Sequence, residues 1–199
     1  MMINEKILES LGATTEHYQA GESIFQENDT PKYYFQIIEG KVKLNNYNHE
    51  GREILQTILE RGQCIGESVL FVDDVTYPVN AVAVISCKIL KLRKSSFFEM
   101  LEKNPEISLQ MNRYLSQILY FKQIMAPILS THSPMFKIKA LLDYLKRNQG
   151  EKEPFAFQVP FTRQEMANLT GLCVETTIRT VKAMEKNKMV VIQNRKILY

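Results

Sequence analysis

No stretch of this 199-residue chain approaches the ~20 consecutive apolar residues that a membrane span requires. The opening Met1-Met-Ile-Asn-Glu-Lys6 has no basic start leading into an apolar run, so no signal peptide is expected either. Cysteine is scarce. Cys64, Cys87 and Cys173 are odd in number, scattered and without C-x-x-C spacing, which points to reduced thiols in a cytoplasmic protein. Histidine is scarce too: His17, His49 and His132 sit in polar, turn-like contexts, with no pair at i, i+4 or H-x-H spacing, so no metal site is expected. Neither a His/Glu metal constellation nor a positioned nucleophile and base is visible, which argues against an enzyme.

What the chain does have is apolar material, 45% of its residues, enough to build cores and to rule out global disorder. Its length suits one large or two small domains. The net charge of +3 is uninformative, but its distribution is not. Residues 1–130 carry 13 Lys/Arg against 16 Asp/Glu, whereas residues 131–199 carry 12 against 6. A basic C-terminal third behind an acidic body is the footprint of a chain in which one domain meets phosphates.

The pattern predicts a short helix over 3–11, with Ile3, Ile7, Leu8 and Leu11 apolar. Glycines then punctuate short strands at Tyr33–Ile38, Val42–Tyr47, Ile54–Leu59, Val79–Val84 and Lys88–Leu92, spacing that suggests a compact antiparallel sandwich or barrel. A helix follows over Ser95–Leu101, and a long one begins at Pro105. Along it, Ile107, Met111, Tyr114, Ile118, Phe121, Met125 and Ile128 recur at 4, 3, 4, 3, 4, 3 spacing, a heptad row expected to be the seam of a parallel homodimer. Leu109, Leu115 and Leu119 form a second stripe beside it. Pro127 should kink or end the helix nearby. Ser133-Pro134 reads as a cap and first helical residue, opening a helix over Lys137–Arg147. A polar loop over Asn148–Pro154 and a short strand over Phe155–Val159 follow.

The densest pattern comes next. Thr162 and Glu165 make the T-x-x-E of a capping box, with Met166 and Leu169 as a small apolar face and Gly171 as a left-handed stop. A second helix runs from about Val174, with Val181 and Met184 inward and Glu175, Arg179 and Lys182 outward. Two helices around a glycine turn are the DNA-binding helix-turn-helix. Met189–Ile192 and Lys196–Tyr199, turned at Asn194, close it as a winged helix.

Taken in order, the chain resembles the Crp/Fnr regulators. The resemblance rests on Gly62-x-x-x-Gly66-Glu67 and on Thr162-Arg-Gln-Glu165 followed by Gly171-x-x-Val-Glu-Thr-x-x-Arg179. It implies an α+β fold of three parts: a cyclic-nucleotide-binding-like antiparallel β-roll (1–104), a dimerisation helix and hinge (105–132), and a winged helix-turn-helix (133–199). The implied function is a homodimeric, sequence-specific transcription regulator with double-stranded DNA and RNA polymerase as partners. An alternative is a nucleotide-binding module that acts on a protein partner. The family's cyclic-AMP binders carry an Arg-Ser or Arg-Thr pair where this chain has Tyr77-Pro78, and proline offers no amide hydrogen. Gly66, Glu67, Tyr77, Pro78, Lys122 and Gln123 therefore mark a candidate pocket for a small-molecule effector that does not bind in the way cyclic AMP usually does; the alternative is that Gly66 and Glu67 serve only as turn and fold elements. An iron–sulfur cube needs one thiolate per iron, more than three distant cysteines supply, and none of the histidines suits haem. No cofactor is expected.

The resemblance places Val174, Glu175, Ile178 and Arg179 against base edges. Arg179 suits guanine O6 and N7, Glu175 suits cytosine N4 and can steady Arg179 one turn on, and Ile178 suits a thymine methyl. The Val-Glu-Thr run is similar to that of the oxygen-sensing branch, which reads TTGA-type rather than TGTGA half-sites. Arg163, Gln164, Thr176, Lys182, Arg195 and Lys196 are expected on phosphates.

Overall fold

The structure, a computed structural model, describes residues 3–51, 53–150 and 153–199. The chain folds as two compact units, Met1–Ile118 and Leu119–Tyr199.

The first unit begins with helix α1 (Glu5–Ser10), capped by the Asn4 side chain. Eight strands follow: β1 (Thr14–Tyr18), β2 (Ser23–Phe25), β3 (Tyr33–Glu39), β4 (Lys41–Tyr47), β5 (Glu53–Glu60), β6 (Cys64–Ile65), β7 (Asn80–Ala83) and β8 (Cys87–Arg93). They form two four-stranded antiparallel sheets, ordered β1-β8-β3-β6 and β2-β7-β4-β5. Strand β3 shows how the layers are built. Successive side chains leave opposite faces of a strand, so Phe35 and Ile37 enter the space between the sheets with Phe25, Val42, Ile65, Ala81 and Ile89. Tyr34 and Ile38 face the other way, into a second core with Leu8, Phe97, Met100 and Met111. Covered on both sides, β3 reads as a near-continuous apolar run.

That second core is roofed by α1, by α2 (Lys94–Lys103) and by the start of α3 (Pro105–Leu129). Tyr34 stacks on Phe97 with centroids 4.4 Å apart. The polar Gln36 side chain is admitted with its partners: it accepts from the Ile3 amide at 2.9 Å and donates to the Ile3 carbonyl at 2.9 Å, while the Tyr34 hydroxyl donates to it at 2.8 Å. A buried amide with its partners in place carries little penalty and fixes the N-terminal segment in register.

Strands β1, β2 and β6 were not among those expected. β1 alternates exposed and half-buried residues, and β2 and β6 are only three and two residues long, too short for a period to show. The five expected strands are present with ends shifted by at most one residue.

Helix α3 continues past Pro127 and stops at Leu129. Proline supplies no amide hydrogen, and Ser130 and Thr131 then donate their hydroxyls to the carbonyls of Pro127 and Ile128 at 2.7 and 2.9 Å, terminating the helix. The heptad row on α3 is buried only in part: Ile107, Tyr114, Ile118, Phe121 and Ile128 are half-buried. Met111 is buried in the first unit's core with Ile107 and Tyr114 packed around it, and Met125 is buried in the second unit's core with Phe121 and Ile128. Part of the expected dimer seam thus meets apolar cores of the same chain, while Ile118 belongs to neither core. Leu109, Leu119, Tyr120 and Leu129 are the large apolar side chains that α3 leaves exposed.

The second unit packs the end of α3 with α4 (Pro134–Gln149), α5 (Arg163–Thr170), α6 (Val174–Lys186) and the hairpin β9 (Val191–Gln193) and β10 (Lys196–Leu198). Ser133 caps α4 by accepting from the Phe136 amide, with Pro134 as its first residue. The expected loop after Arg147 starts later, since α4 runs to Gln149 and ends on Gly150; Glu151 and Lys152 lie outside the described residues. Phe155–Val159 is not a full strand. It makes one bridge, Gln158 with Leu198, flanked by backbone bonds from Val159 to Ile197 and between Phe157 and Tyr199.

Candidate nucleic-acid interface and effector pocket

The interface is built on α5 and α6. Thr162 accepts from the Glu165 amide at 3.2 Å while the Glu165 carboxylate accepts from the Thr162 amide at 2.6 Å, so the capping box closes in both directions. Gly171 ends α5 in the left-handed region at φ 63°, and α6 starts three residues later. Thr177, Thr180, Val181 and Met184 anchor α6 to the core. Their hydroxyls return to the helix itself: Thr177 donates to the Cys173 carbonyl and Thr180 to that of Thr176, so burying them leaves no unmet donor.

The opposite face of α6 is free. Glu175, Ile178, Arg179 and Lys182 are exposed, and Val174 is half-buried at its edge. Ile178 is 40% exposed in a row otherwise polar or charged, a place where an apolar group gains nothing from water. Arg179 does not lean on Glu175 as expected. Its Nη2 donates to Thr176 Oγ1 at 3.5 Å, and that hydroxyl also lies 3.0 Å from Cys173 Sγ. Gln164 is exposed and bonded along α5 to Asn168 at 3.0 Å, and Arg195 and Lys196 are exposed at the wing tip. Arg163 departs most from expectation: it is half-buried, and its Nη1 donates to the Arg195 carbonyl at 2.5 Å. No single-sequence signal linked these two, which lie 32 residues apart.

The candidate effector residues fall into two sets. Gly66, with φ 67°, precedes a short 3-10 helix at Glu67–Phe71. Tyr77 is 2% exposed and stacks on Phe25, centroids 3.6 Å apart and planes at 9°. A methyl group on Gly66 would lie 2.8 Å from the Tyr77 ring and 2.9 Å from that of Phe25, so aromatic carbon fills the space above this turn. Pro78 is exposed, and its carbonyl accepts from Asn46. Glu67 is buried beside several hydroxyl and thiol groups. Burial first, then the Glu67 charge, pushes the Cys64 thiol up to about 12; burial and the same charge raise the Tyr114 hydroxyl above its ordinary range, and burial, then the Asp29 charge, then that of Glu67 raise the Tyr77 hydroxyl. Lys122 and Gln123 belong to the second unit and are exposed.

The three histidines are all exposed. Among the described residues, no three His, Cys, Asp or Glu side chains gather as a metal site, and no helix is long and apolar enough to cross a membrane.

A double β-sheet roll, a long helix and a winged helix-turn-helix with a free recognition face define a DNA-binding transcription regulator. Residues 15–104 match the cyclic nucleotide-binding domain family, and residues 138–199 match the Crp-like helix-turn-helix domain family. The chain belongs to the Crp/Fnr family of regulators, which are not enzymes. It is 26% identical over 165 residues to the cAMP-activated global transcriptional regulator CRP of Haemophilus influenzae, covering 82% of this chain and 73% of that protein. The transcriptional activatory protein AadR of Rhodopseudomonas palustris is 26% identical over 179 residues, covering 88% of this chain and 72% of the relative. Among solved structures, a CooA variant from Carboxydothermus hydrogenoformans superposes with a TM-score of 0.82 at 17% identity, covering 98% of this chain and 85% of the other. The c-di-GMP responsive regulator CLP of Xanthomonas campestris gives 0.74 at 20% identity, covering 96% of each. At such identities these two speak for the fold alone.

Proposed function

We propose that the chain acts as a homodimer that reads an inverted-repeat operator through the exposed face of α6, under an effector domain that does not take cyclic AMP in the family's arginine-mediated way. The free face of α6 carries this reading. Arg179 offers two parallel donors to guanine, Glu175 accepts from cytosine N4, and Val174 and Ile178 present carbon to thymine methyls. Two such helices related by a two-fold axis enter successive major grooves, so half-site centres lie ~10 bp apart.

The second copy is expected on α3, with RNA polymerase as a further partner. Since Met111 and Met125 face inward, the surface for it is the outer stripe, where Leu109 and Leu119 lie ten residues apart with Asn112 and Ser116 between them at heptad intervals. Asp at both Leu119 and Tyr120 should give a monomer by light scattering with an unchanged unfolding midpoint; a dimer that survives both changes would refute the outer stripe.

For the effector domain, the chain offers Tyr77 where cyclic-AMP binders of the family have arginine, and that ring is already stacked on Phe25. Leaving a buried phosphate charge unpaired costs on the order of 3–5 kcal/mol, or about two to four decades of affinity. Among proteins of this fold, CLP is described as c-di-GMP responsive, so the effector need not be cyclic AMP. Calorimetry with cyclic AMP should show no sub-micromolar binding.

The DNA reading is tested on a duplex selected from a random pool. Arg179→Ala should cost about 1–3 kcal/mol at one G·C pair and relax selectivity there. Unchanged selectivity would sink the assignment of α6. Uracil in place of the flanking thymines should weaken binding through the lost methyls, and equal binding would remove Val174 and Ile178 from the readers.

A further inference from the structure

The turn between β9 and β10 is a two-residue one, Asn194-Arg195, and both residues have positive φ, 48° and 64°. Turns with both central residues left-handed match the twist of a hairpin, and they favour asparagine followed by glycine. Asn194 fits that preference. Arg195 occupies the position that glycine normally takes, where a Cβ crowds the backbone. The hairpin that holds it is short, three paired residues on each side, of which only Ile197 is buried. Two ties reach it from the helices: Glu185 accepts from the Ile192 amide at 3.2 Å, and Arg163 donates to the Arg195 carbonyl at 2.5 Å. The second tie falls on the strained residue itself. It starts from the first residue of α5, whose own position is fixed by the closed capping box.

We propose that Arg163 is a positioning residue for the wing and not a phosphate anchor: its guanidinium holds the Arg195 carbonyl, keeps the turn left-handed and so aims the Arg195 and Lys196 side chains at the DNA backbone. This rests on the winged helix binding DNA, but goes beyond it by giving one cation an intramolecular task. A charged donor on a carbonyl makes a stronger hydrogen bond than a neutral one, which suits a bond that must hold strained backbone at an exposed tip.

The two roles leave different marks on salt dependence. Each phosphate contact contributes a slope of ~0.9 in log K against log salt. A phosphate anchor removed as Arg163→Ala lowers the slope by about one contact per half-site, and the loss adds to that of Lys196→Ala. A positioning residue takes its clients with it, so the slope falls by about two contacts per half-site, and Lys196→Ala adds little on top. Replacing Arg195 by glycine, which adopts the left-handed turn without strain, should make the turn independent of the clamp. In an Arg195→Gly background, Arg163→Ala should then change the slope hardly at all. The assay is fluorescence anisotropy of the full chain on a selected duplex between ~50 and ~200 mM salt. Hydrogen exchange over residues 189–199 without DNA provides an independent readout, and Arg163→Ala should speed exchange there.

A slope loss of one contact, additive with Lys196→Ala and with unaltered wing exchange, would overturn the proposal in favour of the phosphate anchor. No change in either readout would overturn it as well. Failure of the underlying DNA reading looks different, as a wild-type chain that selects no duplex and shows no salt slope, and the proposal falls with it.

Discussion

Replacing Gly66 by alanine tests whether the space above the 3-10 turn is filled as the structure shows. Two costs are separable. The first is conformational: at φ 67° an L side chain is strained, by about 1–2 kcal/mol. The second is steric, because the new methyl would sit 2.8 Å from the Tyr77 ring and 2.9 Å from the Phe25 ring, closer than carbon atoms approach. Those rings are stacked and buried, so neither can swing aside freely, and overpacking of this kind costs about 1–3 kcal/mol more. Gly21 is the control, with φ 89° in the same unit but no atom within 4 Å of an added Cβ. Urea unfolding followed by far-ultraviolet circular dichroism should give a loss of ~2–5 kcal/mol for Gly66→Ala against ~1–2 for Gly21→Ala. With slopes of ~1–3 kcal/mol per molar urea, the two midpoints would differ by roughly 1 M. In a Tyr77→Ala background the excess should shrink, since one of the two obstructing rings is gone. Equal losses at the two glycines would mean that the Tyr77–Phe25 stack does not occupy this space, and with it would go the structural reason for discounting cyclic AMP.

Other outcomes follow from single contacts. Thr162→Ala opens the capping box and should cost the second unit about 1 kcal/mol, read as a lower unfolding midpoint. Burial pushes the Glu53 carboxyl up, but hydrogen bonds from Lys43 and Asn45 and the lysine charge outweigh it, holding it below its usual 4.5. A depressed folded-state value stabilises above 4.5 and is lost as pH falls below it. Glu53→Gln should therefore lower stability at neutral pH, by less than about 1 kcal/mol because the pair is partly solvated, and the difference from the wild type should shrink as pH falls from 4.5 through the lower folded-state value. Alkylation at mild alkaline pH should label exposed Cys173 first, while buried Cys64 and Cys87, both with raised thiols, react only on unfolding.

The sequence made local features legible and left pairings over distance hidden. The Thr162–Glu165 box, the Gly171 stop, the Ser133-Pro134 start and the outward face of α6 each depend on residues within one or two turns, and each is found in place. The α3 row shows the limit. Its 4, 3 spacing was read as a dimer seam, and of that row Met111 and Met125 are buried in the chain's own cores. Periodicity marks an apolar stripe but does not say what covers each part of it. Tyr77 was singled out for what it lacks, a charge. Its stacking partner Phe25 lies 52 positions away on β2, and no local pattern joins them. Arg163 looked like any exposed cation at a helix start, and only the fold brings the Arg195 carbonyl within its reach.

Because α3 lends Met111 to one core and Met125 to the other, the homologous modules do not end where the folding units end. The matched families cover residues 15–104 and 138–199, leaving all of α3 outside both. A chimera spliced at those borders would carry a foreign helix into each interior. A sensor half exchanged between relatives should therefore bring its own α3 residues through Ile118, and a DNA-binding half should begin at Leu119, keeping Phe121, Met125 and Ile128 with the helices they evolved to cover. Divergence on either side of that junction is constrained by a shared helix whose two ends must satisfy different neighbours.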